Sequence, residues 1–171
     1  MENAILEEKS LFKHEQSAID EIKRNFNNKD MFQIVSNLLI YDSQTNYYYE
    51  YDLVVICPSG IYVVELKHWS GHIKVAPYSW VVNYNHFRND PHKGNIFKCK
   101  ILRGLYQHCF KAYPDVWVES VVVLTNPEAS VEGADAPKGA ADSSKKNPTF
   151  ASIIDFITYI NRKNNVQSAN L

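Results

Sequence analysis

Three charged residues stand where charge is out of place. Asp52 interrupts the apolar run Glu50-Tyr-Asp-Leu-Val-Val-Ile-Cys57, and Glu65 and Lys67 close the run Ile61-Tyr-Val-Val-Glu-Leu-Lys67. Both runs are rich in β-branched residues, and Pro58-Ser59-Gly60 joins them, so they predict the two arms of an antiparallel hairpin. Side chains alternate faces along a strand, which puts Glu65 and Lys67 on one side and Leu66 on the other. In a hairpin closed at Ser59, opposing residue numbers add to about 117, a condition that Asp52 and Glu65 meet. Two carboxylates and an ammonium then share one patch of an apolar sheet. Carboxylates forced together repel unless a proton or a cation lies between them. Hard divalent cations take oxygen ligands, so the patch has the chemistry of a metal site with Lys67 beside it for charge stabilisation or proton transfer. The competing reading is a surface Glu65–Lys67 ion pair with Asp52 as a solvated edge residue. The surrounding Val, Ile and Leu argue against it, because ionised groups in such strands need a compensating partner.

The elements that must position these residues follow from periodicity. Residues 5–26 predict a helix, with Leu11, Phe12, Ala18, Ile19, Ile22 and Phe26 at helical spacing and Glu15 bordering the stripe. Met31–Tyr41, Tyr47–Cys57 and Ile61–Trp69 predict strands, and His72–Val75 and Trp80–Asn83 two shorter ones. Residues 84–92 predict a polar loop leading into a helix at Asn89-Asp90-Pro91. Lys93–Tyr113 predicts that helix, with Phe97, Ile101, Leu105 and Cys109 as its apolar stripe and Leu102 and Tyr106 beside it. Val116–Thr125 predicts a buried strand. Residues 128–148 turn to Gly, Ala, Asp, Ser, Lys and Pro and predict a mobile loop. Phe150–Asn161 predicts a last helix with Ile153, Ile154, Ile157 and Ile160 inward. The expected organisation is one domain over residues 1–163 and a polar tail, or the boundary of a fragment, over 164–171. The expected fold class is α/β, a mixed sheet with an antiparallel hairpin meander flanked by helices.

Composition narrows the function classes. The chain has 171 residues, 45% hydrophobic and 22% charged, enough for one real core. A net charge of −1 excludes a globally basic nucleic-acid binder, so any polyanion site must be a local patch. The three cysteines, Cys57, Cys99 and Cys109, lack metal-binding spacing and predict free thiols in a reducing compartment. No apolar run approaches the roughly 18 residues of a membrane span, and the first residues lack a signal peptide's pattern, so a cytoplasmic location is expected.

The element order and the Asp…Glu-x-Lys pattern resemble the PD-(D/E)XK nuclease superfamily. The run Glu65-Leu-Lys67-His-Trp-Ser-Gly71, with Tyr51-Asp52 before it and Trp80 and Asp90-Pro91 after it, resembles the nuclease-related domain family within it, over residues 11–125. The resemblance implies a restriction-endonuclease-like core and Mg²⁺- or Mn²⁺-dependent hydrolysis of DNA. It implies Asp52, Glu65 and the Leu66 carbonyl as metal ligands, Lys67 as the group that orients water and offsets phosphorane charge, and Glu15 as an outer carboxylate. Lys98 and Lys100 match the family's substrate-facing helix, and His68 flanks the site. Here Asp90-Pro91 stands in place of the family's usual Asn-Pro, and no glutamine follows at the place where many members have one. Such domains sit at the N-terminus of larger kinase- or helicase-bearing proteins, some in defence against foreign DNA. The implied partners are therefore DNA and the C-terminal domains of a longer parent, with no membrane and with the oligomeric state open, a dimer included. The alternative is a catalytically idle nucleic-acid-binding or regulatory module that keeps the fold, and the third reading is a protein-interaction domain. His68 and His72 have the bland role of hydrogen-bonding at turns, Trp69 and Trp80 and the Tyr47-Tyr48-Tyr49 run that of packing, and Lys98, Lys100 and Arg103 that of a solvated helix face.

Overall fold

The computed structural model of the chain describes residues 10, 12–26, 30–76, 79–112, 115–133 and 147–168. The element order is α1 (Lys13–Phe26), β1 (Gln33–Asp42), β2 (Tyr47–Cys57), β3 (Gly60–Lys67), β4 (Gly71–Lys74), β5 (Ser79–Val82) and β6 (His86–Asn89). After these come α2 (Pro91–Cys109), β7 (Val118–Leu124), β8 (Ala129–Glu132), β9 (Thr149–Phe150) and α3 (Ile153–Ser168). Pro58 and Ser59 close the β2–β3 hairpin, and Cys57 pairs with Gly60. A side chain at Gly60 would meet the Trp117 carbonyl oxygen at 2.7 Å, at a φ of +138° that favours glycine.

The strands form two sheets, β1-β2-β3-β7-β9 and β6-β5-β4-β8. The fold is α/β as expected, but the short meander strands build a sheet of their own. β3 and β7 are parallel, and α2 makes the crossover between them. Alternation along β3 and β7 then divides the core. Tyr62, Val64, Leu66, Val121 and Val123 face α1 and α3, where Ala18, Ile19, Ile22, Phe26, Phe156 and Ile160 cover them. Ile61, Val63 and Val118 face α2 with Cys99. Val122 and Leu124, on that same face, are covered by Ile73, Trp80 and Val82 of the small sheet. Burying side chains of this size stabilises by roughly 1.5–3 kcal/mol each. Glu65 and Lys67 pair with Val122 and Leu124, so they lie between α2 and the small sheet.

Several sequence-based expectations are corrected. Residues 84–92 include strand β6, which pairs with β5. Residues 129–132, expected in a mobile loop, form β8 parallel to β4, with Glu132 held by Lys74 at 3.0 Å. Residues 149–150 form β9 against β7. The remainder of that expected loop, 134–146, lies outside the described residues, as do residues 5–9 and 11 of the expected first helix. The boundary at residue 163 falls inside α3, and Asn164 is buried. Its Oδ1 accepts from the Ser59 amide (3.0 Å), and its Nδ2 donates to the Ile160 carbonyl (2.7 Å). Phe156 takes the inward place expected of Ile154, which is exposed. The apolar stripe expected on α2 points the wrong way: Phe97, Leu105 and Cys109 are exposed, while His92, Asn95 and Cys99 are buried. The polar pair is inward because strand groups beneath it supply hydrogen bonds. Tyr47 and Tyr48 are exposed, and Tyr49 packs on Phe97 at 5.3 Å between ring centroids.

Candidate metal and phosphate site

The register expected for the hairpin is present, and it ends at the site. Leu53 pairs with Val64, but the next pair expected in that register, Asp52 opposite Glu65, is not formed. The β1–β2 ladder is also interrupted here, since Ser36 pairs with Leu53 and Leu38 with Tyr51 while Asn37, at φ 51°, is skipped. Asparagine tolerates that left-handed conformation better than most residues. The break changes the facing of β2: Leu53 and Val55 join the α1 side, and Tyr51 and Val54 the α2 side. As β2 parts from β3, the Asp52 side chain takes the place of a backbone partner. The Leu66 amide donates to its Oδ2 at 2.8 Å.

Glu65 is held from two sides. Lys67 Nζ donates to Oε1 at 2.7 Å, and Lys98 Nζ donates to Oε2 at 2.8 Å. The Glu65 and Lys98 side chains are each 16% exposed, and that of Lys67 is 27% exposed. Burial pushes the Asp52 carboxyl up to about 7, with repulsion from Glu65 adding to it and the Leu66 amide, Lys98 and Lys67 opposing it. Burial acts on Glu65 in the same sense, but Lys98 and Lys67 outweigh it and hold Glu65 below its ordinary value. The two carboxyls thus differ in proton affinity because the two lysines serve one of them.

Helix α2 brings Lys98 to this place. Asp90 caps it, accepting from the His92 amide at 2.9 Å, and Pro91 enters at the first turn, where its missing N–H costs nothing. The first two turns are bolted to the sheet. His92 Nδ1 lies 2.9 Å from Ser120 Oγ, and its Nε2 lies 3.0 Å from Thr149 Oγ1. Asn95 Nδ2 donates to the Val63 carbonyl (2.7 Å), Ser120 Oγ (3.0 Å) and the Val121 carbonyl (3.3 Å), bridging β3 and β7. Lys98 follows Asn95 by three residues and therefore shares its face. The Tyr51 hydroxyl donates to the Lys98 carbonyl at 3.0 Å. His92, Asn95, Ser120 and Tyr51 escaped sequence reasoning. The available signal was a pair of polar residues three apart just after a helix cap.

The other expected site residues are less closely gathered. Lys100 is exposed on a different side of α2 from Lys98. Glu15 is half-buried, in line with the buried Ala18, Ile19 and Ile22 of α1, on the sheet face opposite α2. Among the described residues no three His, Cys, Asp or Glu side chains are spaced to hold a metal ion. His68 Nδ1 lies 3.0 Å from Thr125 Oγ1, and the His14 ring stacks on it at 4.3 Å. Burial and then His14 lower its proton affinity. Trp69 and Trp80 pack edge to face at 5.8 Å in the core of the small sheet, the bland role. His68 and Trp69 also open an exposed cleft of about 300 Å³ with Ser70, Val82, Asn83, His86 and Arg88. Among the described residues, no acidic one lines it.

The donor set suits a hard divalent cation: two carboxylates on adjacent strands, one of them with an oxygen not used by the Leu66 amide. Two carboxylates thus stand at the parting of a hairpin, with a lysine two residues on and a helix lysine over Glu65. Residues 10–125 match the nuclease-related domain family, and the chain belongs to that family. It is also 29% identical over 121 residues to a protein of Streptomyces coelicolor described as probable kinase PglW. That match covers 68% of this chain and 8% of the relative's length. No helix among the described residues is long and apolar enough to cross a membrane.

Proposed function

We propose that this domain is a divalent-metal-dependent nuclease that hydrolyses DNA phosphodiesters, using Mg²⁺ or Mn²⁺, and that it works as a module of a longer DNA-processing or defence protein. The observation that carries this is the convergence of Asp52, Glu65, Lys67 and Lys98 on one half-buried patch where β2 parts from β3. Asp52, Glu65 and the Leu66 carbonyl would hold the cation. When bound, the cation polarises a phosphoryl oxygen and acidifies a water. Lys67 offsets charge that develops on the phosphorane, and Lys98 pairs with a substrate phosphate. Glu15 would act as an outer carboxylate from the first turn of α1, where the neighbouring His14 stacks on His68, next to Lys67. The cleft from His68 to Arg88 offers a cation and hydrogen-bonding groups to the strand that leaves the site. The length of the relative supports a modular setting.

The second reading, an idle nucleic-acid-binding or regulatory module, is favoured by one observation: both oxygens of Glu65 are occupied by lysines. A Mg²⁺/Mn²⁺ assay on plasmid and single-stranded DNA with Lys67→Ala separates the two. For a nuclease, the variant binds DNA within a few-fold of the parent and cleaves about 10²–10³ more slowly, the usual loss for one such electrostatic donor. A parent that never cleaves, beside a Lys67→Ala variant that loses binding, establishes the idle module. If neither property changes, Lys67 is only the ion-pair partner of Glu65.

A further inference from the structure

Glu65 has two carboxylate oxygens, and each carries an ammonium, Lys67 at 2.7 Å and Lys98 at 2.8 Å. A hard cation binds through those same oxygens at closer range. It would also meet two positive charges beside it, and like charges repel strongly in a half-buried site. The two lysines differ in how they are mounted. Lys67 rises from the strand that carries Glu65, two residues along on the same face, so it stays near the patch wherever its amine points. Lys98 comes from the opposite wall. Its backbone is fixed by the Tyr51 hydroxyl on its carbonyl and by the Asn95 bridge one turn earlier. What can move is its four-carbon stem, and the helix need not shift.

We infer that Lys98 is a resident counter-cation for Glu65 that must swing away before a divalent ion is held, so that the free domain binds metal weakly and a phosphate that captures Lys98 strengthens metal binding. This rests on the nuclease reading above and adds a coupling to it. Whatever a DNA phosphate does to the affinity for metal, metal must do to the affinity for DNA. The free domain is thereby kept from holding a loaded cation before substrate arrives, while Lys98 stays paired in both states.

The test is calorimetric titration of Mn²⁺ into metal-stripped protein without DNA, comparing the parent with Lys98→Met, Lys98→Gln and Lys98→Arg. Lys98→Met should bind Mn²⁺ at least tenfold more tightly than the parent. Lys98→Arg keeps the charge and should stay as weak as the parent. Adding Asp52→Asn to Lys98→Met should remove the gain, which places it at this site. Lys98→Gln, which keeps length and polarity, decides the matter if the methionine variant does not fold. Equal or weaker Mn²⁺ binding after Lys98 is neutralised overturns the inference; if the parent still cleaves DNA with Mn²⁺, the nuclease reading survives. No Mn²⁺ binding by any variant together with no cleavage overturns both.

Discussion

Asp52→Asn should stabilise the metal-free domain, and should do so only where Asp52 is otherwise charged. The Asp52 carboxyl is raised from an ordinary 3.8 to about 7, chiefly by burial and then by Glu65. Unfolded, the same group loses its proton near pH 4. Between these values the native state holds the extra proton, so stability falls as pH rises, and the full cost is present above pH 7. Three pK units at about 1.4 kcal/mol each set a ceiling of about 4 kcal/mol. Asp52 and Glu65 titrate as a pair, so roughly half of that, about 2 kcal/mol, is assigned to the single substitution. At about 2–4 °C per kcal/mol for a domain of this size, the gain is about 4–8 °C in Tm. Glu65 runs in the opposite sense. Its value is lowered, so its contribution is present above the usual glutamate range and lost only in stronger acid. Its titration therefore lies below the window compared. The charged groups facing Asp52, namely Glu65, Lys67 and Lys98, are the same in both proteins. The assay is thermal unfolding of parent and Asp52→Asn at pH 5 and pH 8 in a chelator. The gain should be largest at pH 8 and should shrink toward pH 5. A variant no more stable than the parent at pH 8, or one with the same gain at both pH values, would refute the assignment of burial strain to Asp52.

Asn164→Leu should cost about 1–3 kcal/mol, because the Ser59 amide at the buried hairpin turn loses its acceptor; urea unfolding measures it, and an unchanged midpoint would mean that the end of α3 does not brace the turn. Gly71→Ala should destabilise by about 1–3 kcal/mol, since φ is +82° there and a Cβ would collide with Asn83 Oδ1. The His72 amide, which donates to that oxygen at 3.0 Å, should gain hydrogen-exchange rate in this variant.

The hairpin and its charges were legible because their signals are local. A two-residue turn sets the register, period-two alternation sets the faces, and an acid inside Val-Val-Ile is conspicuous. The departure of β2 at Asp52 was not legible, since it depends on Asn37 taking φ 51° on a neighbouring strand. Nor was the inward face of α2. Phe97 and Leu105 looked like core by period, yet His92 and Asn95 are inward because Ser120, Thr149 and two strand carbonyls await them. That choice of face is what aims Lys98 at Glu65 and turns Lys100 away. β6 is exposed along its whole length, so it shows no apolar alternation, and β8 is defined by a parallel partner far along the chain. The three cysteines are free thiols, as their spacing predicted.

The parallel pairs β3–β7, β4–β8 and β7–β9 also order the events by which this chain must become a protein. Each joins segments that leave the ribosome well apart, and such pairings are slow to form. Residues 126–168 lie past the family match, yet β8 closes the small sheet, β9 closes the large one and α3 seals the face of Ile19 and Ile22. A chain released at residue 125 would present Val118–Leu124, buried along its whole length in the finished fold, with no strand on its far edge. An unpaired edge of that composition invites pairing with other chains. Expression fragments cut at the end of the recognisable motif should therefore aggregate, whereas those extended through Asn164 should refold.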